Sequence, residues 1–215
     1  MQPVPIKREE EAIVLDFLQN GYTSDPRPLH LKDPIAQSLG TSRFTLLELI
    51  PKKDVHLQPL QRVYIGDQHR EEVHHVNGKI RFEKLTATAQ SQIAAVVAQL
   101  VRENPDRFVA FYNNAQPLSL RTHSLELLPG VGKKHMQEIL EARRDAPFES
   151  FDDIRARVKL ATDPEKLIIN RILEEIRGEE KHFLFAAMPP SDEDLRHARG
   201  GPRRDGPGFG GSRRF

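Results

Sequence analysis

The stretch Leu128–Leu140, LPGVGKKHMQEIL, connects two predicted helices through a loop only a few residues long. Pro129 and Gly130 end the first helix, because a proline ring cannot continue a helix and glycine readily adopts the conformation that follows one. The second helix begins near Gly132, after which apolar residues recur with helical spacing. The stretch therefore predicts a tight hairpin of two helices.

The loop of this hairpin has the composition of an anion site. Gly132 has no Cβ, so an anion can approach the backbone closely. We expect the amides of Val131, Gly132 and Lys133 to point out of the N-terminus of the second helix, where the helix dipole favours an anion. Lys133 and Lys134 would be mildly unfavourable there unless an anion lies between them. Residues Gly130 to Lys134 are thus predicted to bind a sugar-phosphate backbone and to read no base. The alternative is a hairpin that serves packing alone.

Capping residues predict further helices on both sides of the loop. Ser119 is a candidate N-cap for the helix before it, Ser150 for a third helix, and Asp163, followed by a proline, for a fourth. Residues 116–178 are therefore predicted to form an all-α domain of four helices in two hairpins. The second connection, residues 160–164, has no glycine and places a carboxylate at the helix start, so we expect it to be structural.

The N-terminal residues 1–85 carry short β-prone runs instead. These runs are Ala12–Leu18, Phe44–Ile50, Val63–Ile65 and, after the turn-forming pair Asn77-Gly78, Ile80–Phe82. Short strands at this spacing predict a small, partly closed barrel.

Residues 86–115 change to a helical period and are predicted to be connecting helices. Apolar residues from Ala89 to Val101 lie on one helical face, and Asn104-Pro105 ends that helix. A shorter apolar stripe follows, and both stripes favour core packing. The predicted fold class is therefore α+β.

The composition limits the function classes. The chain of 215 residues has 32 Lys plus Arg, 31 Asp plus Glu, a net charge of +1 and no cysteine. Nucleic-acid binding would thus have to be local, because such proteins usually show a basic excess. The lack of cysteine excludes disulfides, thiolate zinc sites and a cysteine nucleophile. No apolar run approaches the about 18 residues of a membrane span, so we expect a soluble, cytoplasmic protein.

The clear basic concentration lies at the C-terminus. In residues 199–215, rich in glycine, the single acidic residue Asp205 faces five arginines. This composition cannot bury enough surface to offset the entropy of ordering it, so residues 179–215 are predicted to be a linker and a disordered Gly/Arg-rich tail. Guanidinium groups pair with phosphates and stack on bases, although an inert end is the alternative. The candidate RNA contacts are Arg199, Arg203, Arg204, Arg213 and Arg214.

Two resemblances extend this prediction. The stretch Leu128–Leu140 resembles the helix-hairpin-helix motif, and together with PFESFDDI (147–154) it looks like the first half of a double helix-hairpin-helix domain. Met136 departs from the motif, which usually has a small alanine at that position.

A longer resemblance runs from about Ile13 to Ile176. It rests on FTLLELIPK (44–52), RVYIG (62–66), RFEKLTA (81–87), FYNNAQP (111–117) and LELLPGVGKKHM (125–136). On these strings the chain resembles an archaeal family of unknown function, domain-of-unknown-function family 655. The resemblance implies an N-terminal OB-like barrel, a C-terminal double helix-hairpin-helix domain, an RNA-binding role and an association with translation or ribosome maturation.

An OB-like barrel binds single strands through basic grooves with aromatic platforms. The candidates for such a groove are Arg43, Lys52, Lys53, Arg62, Tyr64 and Arg81, whereas Phe44 and Phe82 are more typical of core positions. Each of these charges is also compatible with an ordinary solvated surface.

The sequence favours no catalytic or metal chemistry. His69, His74 and His75 lack the spacing of metal ligands, and no Walker loop or nucleophile elbow is present, so no cofactor is expected. The prediction is a non-enzymatic nucleic-acid-binding protein, with RNA favoured over DNA and the ribosome or its maturation factors as candidate partners. A protein-interaction module on a ribosomal or polymerase assembly and a DNA-repair accessory factor are the alternatives. The oligomeric state is left open.

Deletion of residues 199–215 should lower the general RNA affinity of the protein and flatten its salt dependence, because five arginines are removed. Filter binding at several salt concentrations measures both quantities. An unchanged slope of log K against log salt would exclude a direct role for the tail.

Overall fold

The computed structural model describes residues 8–199, and its N-terminal part is an open, curled sheet of five antiparallel strands. The strand order is β4-β1-β2-β3-β5, so β4 and β5 form the two edges of a half-barrel. The strands are β1 (Glu11–Leu18), β2 (Ile35–Gly40), β3 (Leu46–Pro51), β4 (Arg62–Tyr64) and β5 (Val73–Lys79).

Three of the four predicted strands are confirmed as β1, β3 and β4, but the prediction for Ile80–Phe82 is wrong. The fifth strand precedes those residues, and Phe82 begins a 3₁₀ helix. Asn77-Gly78 lies inside β5, where the pairing with β3 shifts register, so it does not form a turn. Strand β2 escaped prediction because Gln37 and Ser38 interrupt its apolar pattern, although both are fully buried.

The sheet has two apolar faces, which the alternation of side chains along β1 separates. Ile13 and Leu15 pack with the helices, whereas Ala12 and Val14 pack in the smaller core inside the half-barrel. A bulge between Val14 and Asp16 then shifts the register of β1 against β2. The half-barrel is therefore packed on both faces.

Six α-helices follow in the described part of the chain. They are α1 (Ala87–Glu103), α2 (Pro105–Asn114), α3 (Lys133–Asp145), α4 (Phe151–Arg157), α5 (Pro164–Arg177) and α6 (Asp192–Arg199), with 3₁₀ helices at Leu29–Leu31, Phe82–Lys84 and Ser124–Leu127. None of the helices within residues 8–199 is long and apolar enough to cross a lipid bilayer.

The N-terminus of α1 is attached to the sheet by polar contacts. Thr86 Oγ1 accepts a hydrogen bond from Ala89 N and donates one to Asp16 Oδ2, at 2.6 Å. The side chain of Gln37 accepts from Thr86 N at 2.8 Å and donates to Lys84 O at 2.9 Å. These bonds satisfy a buried amide and cap the helix at the same time.

The predicted helix after Ser119 is wrong. Residues around Ser119 form a hydrogen-bonded turn, and only Ser124–Leu127 is helical, as a 3₁₀ helix capped by His123. A longer helix does not fit, because the chain folds back between Pro117 and His123 in an antiparallel bridge. The other two predicted caps are confirmed, since Ser150 accepts from Asp153 N and Asp163 accepts from the first turn of α5.

One hydrophobic cluster joins the sheet to all helices from α1 to α5. It contains Leu15 of β1, Val97 of α1, Tyr112 of α2, Ile139 of α3 and Ile168 of α5. The predicted segments 1–85, 86–115 and 116–178 thus share one core.

The segment after α5 also packs against the body of the protein. Phe185 is buried against Phe108 and Phe111, and Ala187 N donates to Arg43 O at 2.7 Å. The prediction of a linker that begins at residue 179 is therefore wrong for the residues between α5 and the end of α6. Helix α6 has no apolar periodicity, but Ser191 caps it and three acidic residues in its first turn complement the helix dipole.

A buried ion pair holds this segment. Arg171 and Glu175, one turn apart on α5, are 3% and 0% exposed, and Arg171 Nε donates to Glu175 Oε1 at 2.9 Å. The carboxylate also accepts the backbone amides of Leu184, Phe185 and Ala186. Glu175 therefore connects α5 to the C-terminal segment through charge-assisted hydrogen bonds.

We expect Glu175→Ala to lower the free energy of unfolding by about 3–5 kcal/mol, because it removes the acceptor of three backbone amides and leaves the buried Arg171 with Glu180 as its one close carboxylate among the described residues. Glu174→Ala is the matched control, since Glu174 lies 3.8 Å from Arg171 and is partly exposed; its effect should stay below about 1 kcal/mol. Urea denaturation measures both values. Equal midpoints for the two variants would contradict this assignment.

Candidate functional site

The loop before α3 is a tight turn that the core holds in place. The side chains of Leu128 and Val131 are buried, and Val131 N donates to Leu128 O at 3.0 Å. Gly130 lies in the left-handed region with φ of 87°, and Gly132 is the N-cap of α3. The prediction that the Val131 amide points outward is wrong, because that amide closes the turn.

The N-terminus of α3 presents unused donors. The first intrahelical bond runs from Met136 N to Gly132 O at 2.9 Å. No side chain caps the helix, and within residues 8–199 the amides of Gly132, Lys133 and Lys134 have no hydrogen-bond acceptor. Two of the three predicted amides are therefore free, and Lys134 supplies the third. Free first-turn amides at the positive end of the helix dipole favour an anion.

The two glycines of the loop serve different purposes. Gly130 needs its positive φ, which side chains rarely adopt. Gly132 has an extended backbone with φ of −90°, which any residue can adopt, and a Cβ built there would meet no atom within 4 Å. The fold therefore does not require glycine at position 132, although the missing side chain leaves open space in front of the free amides.

Two lysines flank this space. Lys133 and Lys134 are both exposed, and the nearest carboxylate to Lys134, Glu138 Oε1, is 3.9 Å from its Nζ. The Lys134 side chain is 86% exposed, so this contact contributes little. Both ammonium groups thus remain accessible to an external anion.

The second connection differs because it already contains an anion. The Asp163 carboxylate accepts from the amides of Glu165 and Lys166, at 2.9 and 3.3 Å, and pairs with Arg155. Although burial raises the pKa of Asp163, the hydrogen bonds from Arg155 and from α5 hold that pKa below its usual value. The N-terminus of α5 is therefore occupied by a side chain of the protein itself.

The six residues predicted to line one groove lie in separate places. Arg62 pairs with Glu11 and Glu103, and the hydrogen bond to Glu103 raises the pKa of its guanidinium. Arg81 donates to Pro190 O at 2.9 Å and pairs with Asp192 at 2.8 Å. These two arginines connect elements of the fold, so the prediction of a single groove is wrong.

The other four predicted residues line two different cavities. Arg43 and Tyr64 line a cleft of about 1020 Å³ between β4 and β5, whereas Lys52 and Lys53 line a cavity of about 630 Å³ beside β3 and β5. Phe44 is buried in the core, as expected.

The cleft between the sheet edges gathers further basic residues that sequence reasoning missed. Arg8, Arg70 and Lys79 line it together with Arg43 and Tyr64. Arg70 is oriented by a hydrogen bond from its Nε to Gly66 O at 2.8 Å. No local pattern indicates this grouping, because it forms only where the two edge strands curl toward each other.

The remaining candidates are less informative. Arg199 is the last residue of α6, and Arg203, Arg204, Arg213 and Arg214 lie outside the described residues. In the part of the chain that the structure describes, no three His, Cys, Asp or Glu side chains form a group that could hold a metal ion.

These features define a small α+β protein in which an open antiparallel half-barrel shares its core with a layer of helices. The chain belongs to the family described as "Protein of unknown function (DUF655)", whose family model matches residues 8–187. The resemblance found in the sequence is thereby confirmed.

Two relatives of this family are similar over most of the chain. The uncharacterized protein MJ0038 of Methanocaldococcus jannaschii is 41% identical over 183 residues, which cover 84% of this chain and 81% of that protein. The crystal structure of Af1531 from Archaeoglobus fulgidus is 42% identical and has a TM-score of 0.75. It covers 83% of this chain and 100% of its own.

Substitution of the two glycines should separate their roles in stability. Gly130→Ala should lower the free energy of unfolding by about 1 kcal/mol through its positive φ, whereas Gly130→Asn should cost less because asparagine tolerates that conformation. Gly132→Ser should raise stability by about 0.2–0.4 kcal/mol, since serine caps helices slightly better than glycine and its Cβ meets no atom here. Thermal or urea unfolding tests this order. Destabilisation by Gly132→Ser would mean that the fold itself needs the glycine.

Proposed function

We propose that this protein is a non-enzymatic nucleic-acid-binding protein that binds a sugar-phosphate backbone at the loop Gly130–Lys134. RNA is its favoured ligand. The loop and α3 form the binding hairpin of a helix-hairpin-helix unit, in which the 3₁₀ helix Ser124–Leu127 is the first, shortened arm.

The observation that carries this proposal is that the free amides lie at a glycine that the fold does not require. Gly132 is not required by its backbone angles or by its neighbours, and the amides of Gly132, Lys133 and Lys134 have no acceptor within the described residues. A phosphate needs both the donors and the open space. A hairpin kept for packing alone would gain stability from a capping side chain at position 132.

Charge supports a site of this kind. Two lysines at a helix N-terminus oppose the helix dipole unless an anion neutralises them. A site built from backbone amides needs few formal charges, which agrees with a net charge of +1. Because amides and lysines contact phosphate and no base, this loop positions the nucleic acid without reading its sequence.

The second hairpin, α4 and α5, is structural in this proposal. Asp163 caps α5 and would repel a phosphate from the same amides. In this proposal the double helix-hairpin-helix domain has one loop that binds phosphate and one loop whose following helix is already capped by Asp163. Met136, where the motif usually has alanine, is partly buried and packs against the core, so the helix contact is repacked around a larger side chain.

The OB-like half-barrel supplies a second contact in this proposal. The cleft between the sheet edges offers Arg43, Arg70 and Lys79 together with the Tyr64 ring, which are the groups that contact single strands, although the carboxylates of Glu9, Glu10 and Asp67 also line it. Unpaired bases and RNA loops fit such a surface better than a DNA duplex does, which favours RNA. A role in translation or ribosome maturation rests on the family resemblance.

The test is a filter-binding titration with structured RNA, single-stranded RNA and duplex DNA over a range of salt. The double variant Gly132→Asp and Lys134→Glu should lower RNA affinity at least tenfold and reduce the salt slope by about 1–2. Gly132→Ser should also weaken binding, although it preserves or raises stability, which excludes unfolding as the cause.

Lys166→Glu is the matched control, because Lys166 is an exposed lysine in the first turn of the already capped α5. It should bind RNA nearly as the wild type does. If the double variant binds as tightly as the wild type, the loop is not the site. A preference for duplex or junction DNA would instead favour a DNA-repair accessory factor.

One observation favours a protein-interaction module as the second candidate. Leu118 and Leu120 are 47% and 107% exposed on a turn that is fixed by hydrogen bonds from Leu118 N and Ser119 N to Thr122 O. Contiguous exposed apolar surface marks protein contacts, and these two leucines are exposed on the same turn. In that case, partner proteins would remain bound after nuclease treatment, and Leu120→Ser would release them.

A further inference from the structure

The cavity of about 630 Å³ beside β3 and β5 combines three kinds of polar group. It has a buried carboxylate, Glu48, a pair of histidines and two lysines on its lining. A cavity of this size falls within the range that holds small organic ligands.

Glu48 is the most unusual of these groups. It is 8% exposed, and no ion pair among the described residues involves it. Oε2 accepts from the Tyr22 hydroxyl at 2.7 Å, and Asn77 Nδ2 donates to Oε1. A carboxylate can accept about four hydrogen bonds, so each oxygen still has room for one more donor. Burial of a charge without a counter-charge is costly, and two further donors would offset that cost.

The neighbouring Tyr22 and Gln37 side chains orient hydrogen bonds toward Glu48. Burial first, and then the hydrogen bond to Glu48, raise the pKa of Tyr22 above its usual value, so its hydroxyl stays protonated and donates. Gln37 Nε2 donates to the same hydroxyl oxygen at 3.1 Å and thereby fixes its orientation.

A bulge in β5 places two histidines in the same cavity. The register against β3 shifts between the pairs Ile50–His75 and Pro51–Val73, so His74 is the extra residue. Bulges re-aim side chains that would otherwise point to opposite faces. Here they bring the two Nδ1 atoms to 2.7 Å from each other.

The short distance between the two Nδ1 atoms indicates a hydrogen bond between the imidazole rings. When both rings are neutral, one imidazole donates to the other, and the pair offers a donor at one Nε2 and an acceptor at the other. Burial, followed by the charges of His74 and Arg70, lowers the pKa of His75, while Asp33 opposes this.

The same geometry argues against a metal ion. Zinc–nitrogen bonds of about 2.0–2.1 Å in a tetrahedral site hold two nitrogens about 3.3 Å apart, which exceeds the separation here. Within residues 8–199 no third His, Asp or Glu completes a metal-binding group.

Three basic side chains also line this cavity. The ammonium groups of Lys52 and Lys53 take part in no ion pair of the described residues, whereas Arg27 is held by Asp25 and Asp33. The two lysines are therefore the groups available to an anionic part of a ligand.

We propose that this cavity binds a guanine nucleotide, either free or as one unit of a nucleic acid. Guanine presents two adjacent donors, N1–H and the 2-amino group, which match the two unused positions on the Glu48 carboxylate. Adenine and cytosine offer one amino donor beside an acceptor nitrogen, and uracil offers one N–H between two carbonyl groups. The phosphate then lies near Lys52 and Lys53, and the histidine pair contacts the ring. The assignment rests on the proposed function for the class of ligand, and it adds the base readout that a phosphate-binding loop cannot supply.

The test is isothermal titration calorimetry of the full chain with GMP, IMP, AMP, CMP and UMP. GMP should bind about tenfold or more tightly than AMP, CMP and UMP. IMP lacks the 2-amino group and should bind more weakly than GMP. Glu48→Gln should abolish the preference for GMP over IMP, because a carboxamide cannot accept two parallel donors. Glu83→Gln, at an exposed glutamate outside the cavity, is the matched control.

A second variant covers the case in which Glu48→Gln fails to fold. Lys52→Ala with Lys53→Ala changes two side chains without ion pairs, and it should remove the advantage of GMP over guanosine. Lys181→Ala, at an exposed lysine outside the cavity, should not.

Equal affinity for all five nucleotides, or no nucleotide binding at all, would overturn the proposal. Binding of Zn²⁺ without nucleotide binding would do the same and would assign the cavity to a metal. Lys134→Glu should leave GMP affinity unchanged, so loss of the loop function and loss of the base site are separate results.

Discussion

Helix α1 lies between the sheet and α5, and its apolar stripe packs against both. Ile93 and Val97 of α1 belong to the same buried cluster as Ile13 of β1 and Ile168 of α5. Close-packed interiors do not allow one layer to move independently of the next. The half-barrel, the loop before α3 and the C-terminal segment therefore hold their positions through this shared core, and the polar groups at the surface remain available for other contacts.

The distribution of satisfied and unsatisfied polar groups follows from that arrangement. Glu175 accepts one guanidinium N–H and three backbone amides, and Asp163 fills the N-terminus of α5. By contrast, the amides at the start of α3 have no acceptor within the described residues, and Glu48 has no cation. The exposed first-turn amides of α3 and the buried Glu48 carboxylate are thus two places where a ligand would add hydrogen bonds. We propose a phosphate as the ligand of the first and a base as the ligand of the second.

Much of the fold was predictable wherever the deciding interaction was local. Ser150 and Asp163 cap helices through bonds that span two or three residues, and the pair Asn104-Pro105 ends one helix and begins the next. The elements that the sequence did not predict correctly depend on contacts between residues that are distant in sequence. Strand β2 contains Gln37, whose burial is acceptable because Thr86, Lys84 and Tyr22 form hydrogen bonds with its side chain. Asn77 belongs to a turn-forming pair, yet pairing with β3 keeps it within a strand.

The features of the candidate sites also divide into those set by local sequence and those set by non-local contacts. The sequence by itself determined the turn at Gly130, the start of α3 and the open position at Gly132, because helix ends depend on the residues within one turn of them. Only the tertiary structure decided that Arg62 and Arg81 are engaged in pairs with distant residues and that Glu48 is buried with no ion pair to any described residue. These outcomes depend on which strands and segments become neighbours. Such non-local pairing is set by the packing of the whole core, so no window of sequence contains it.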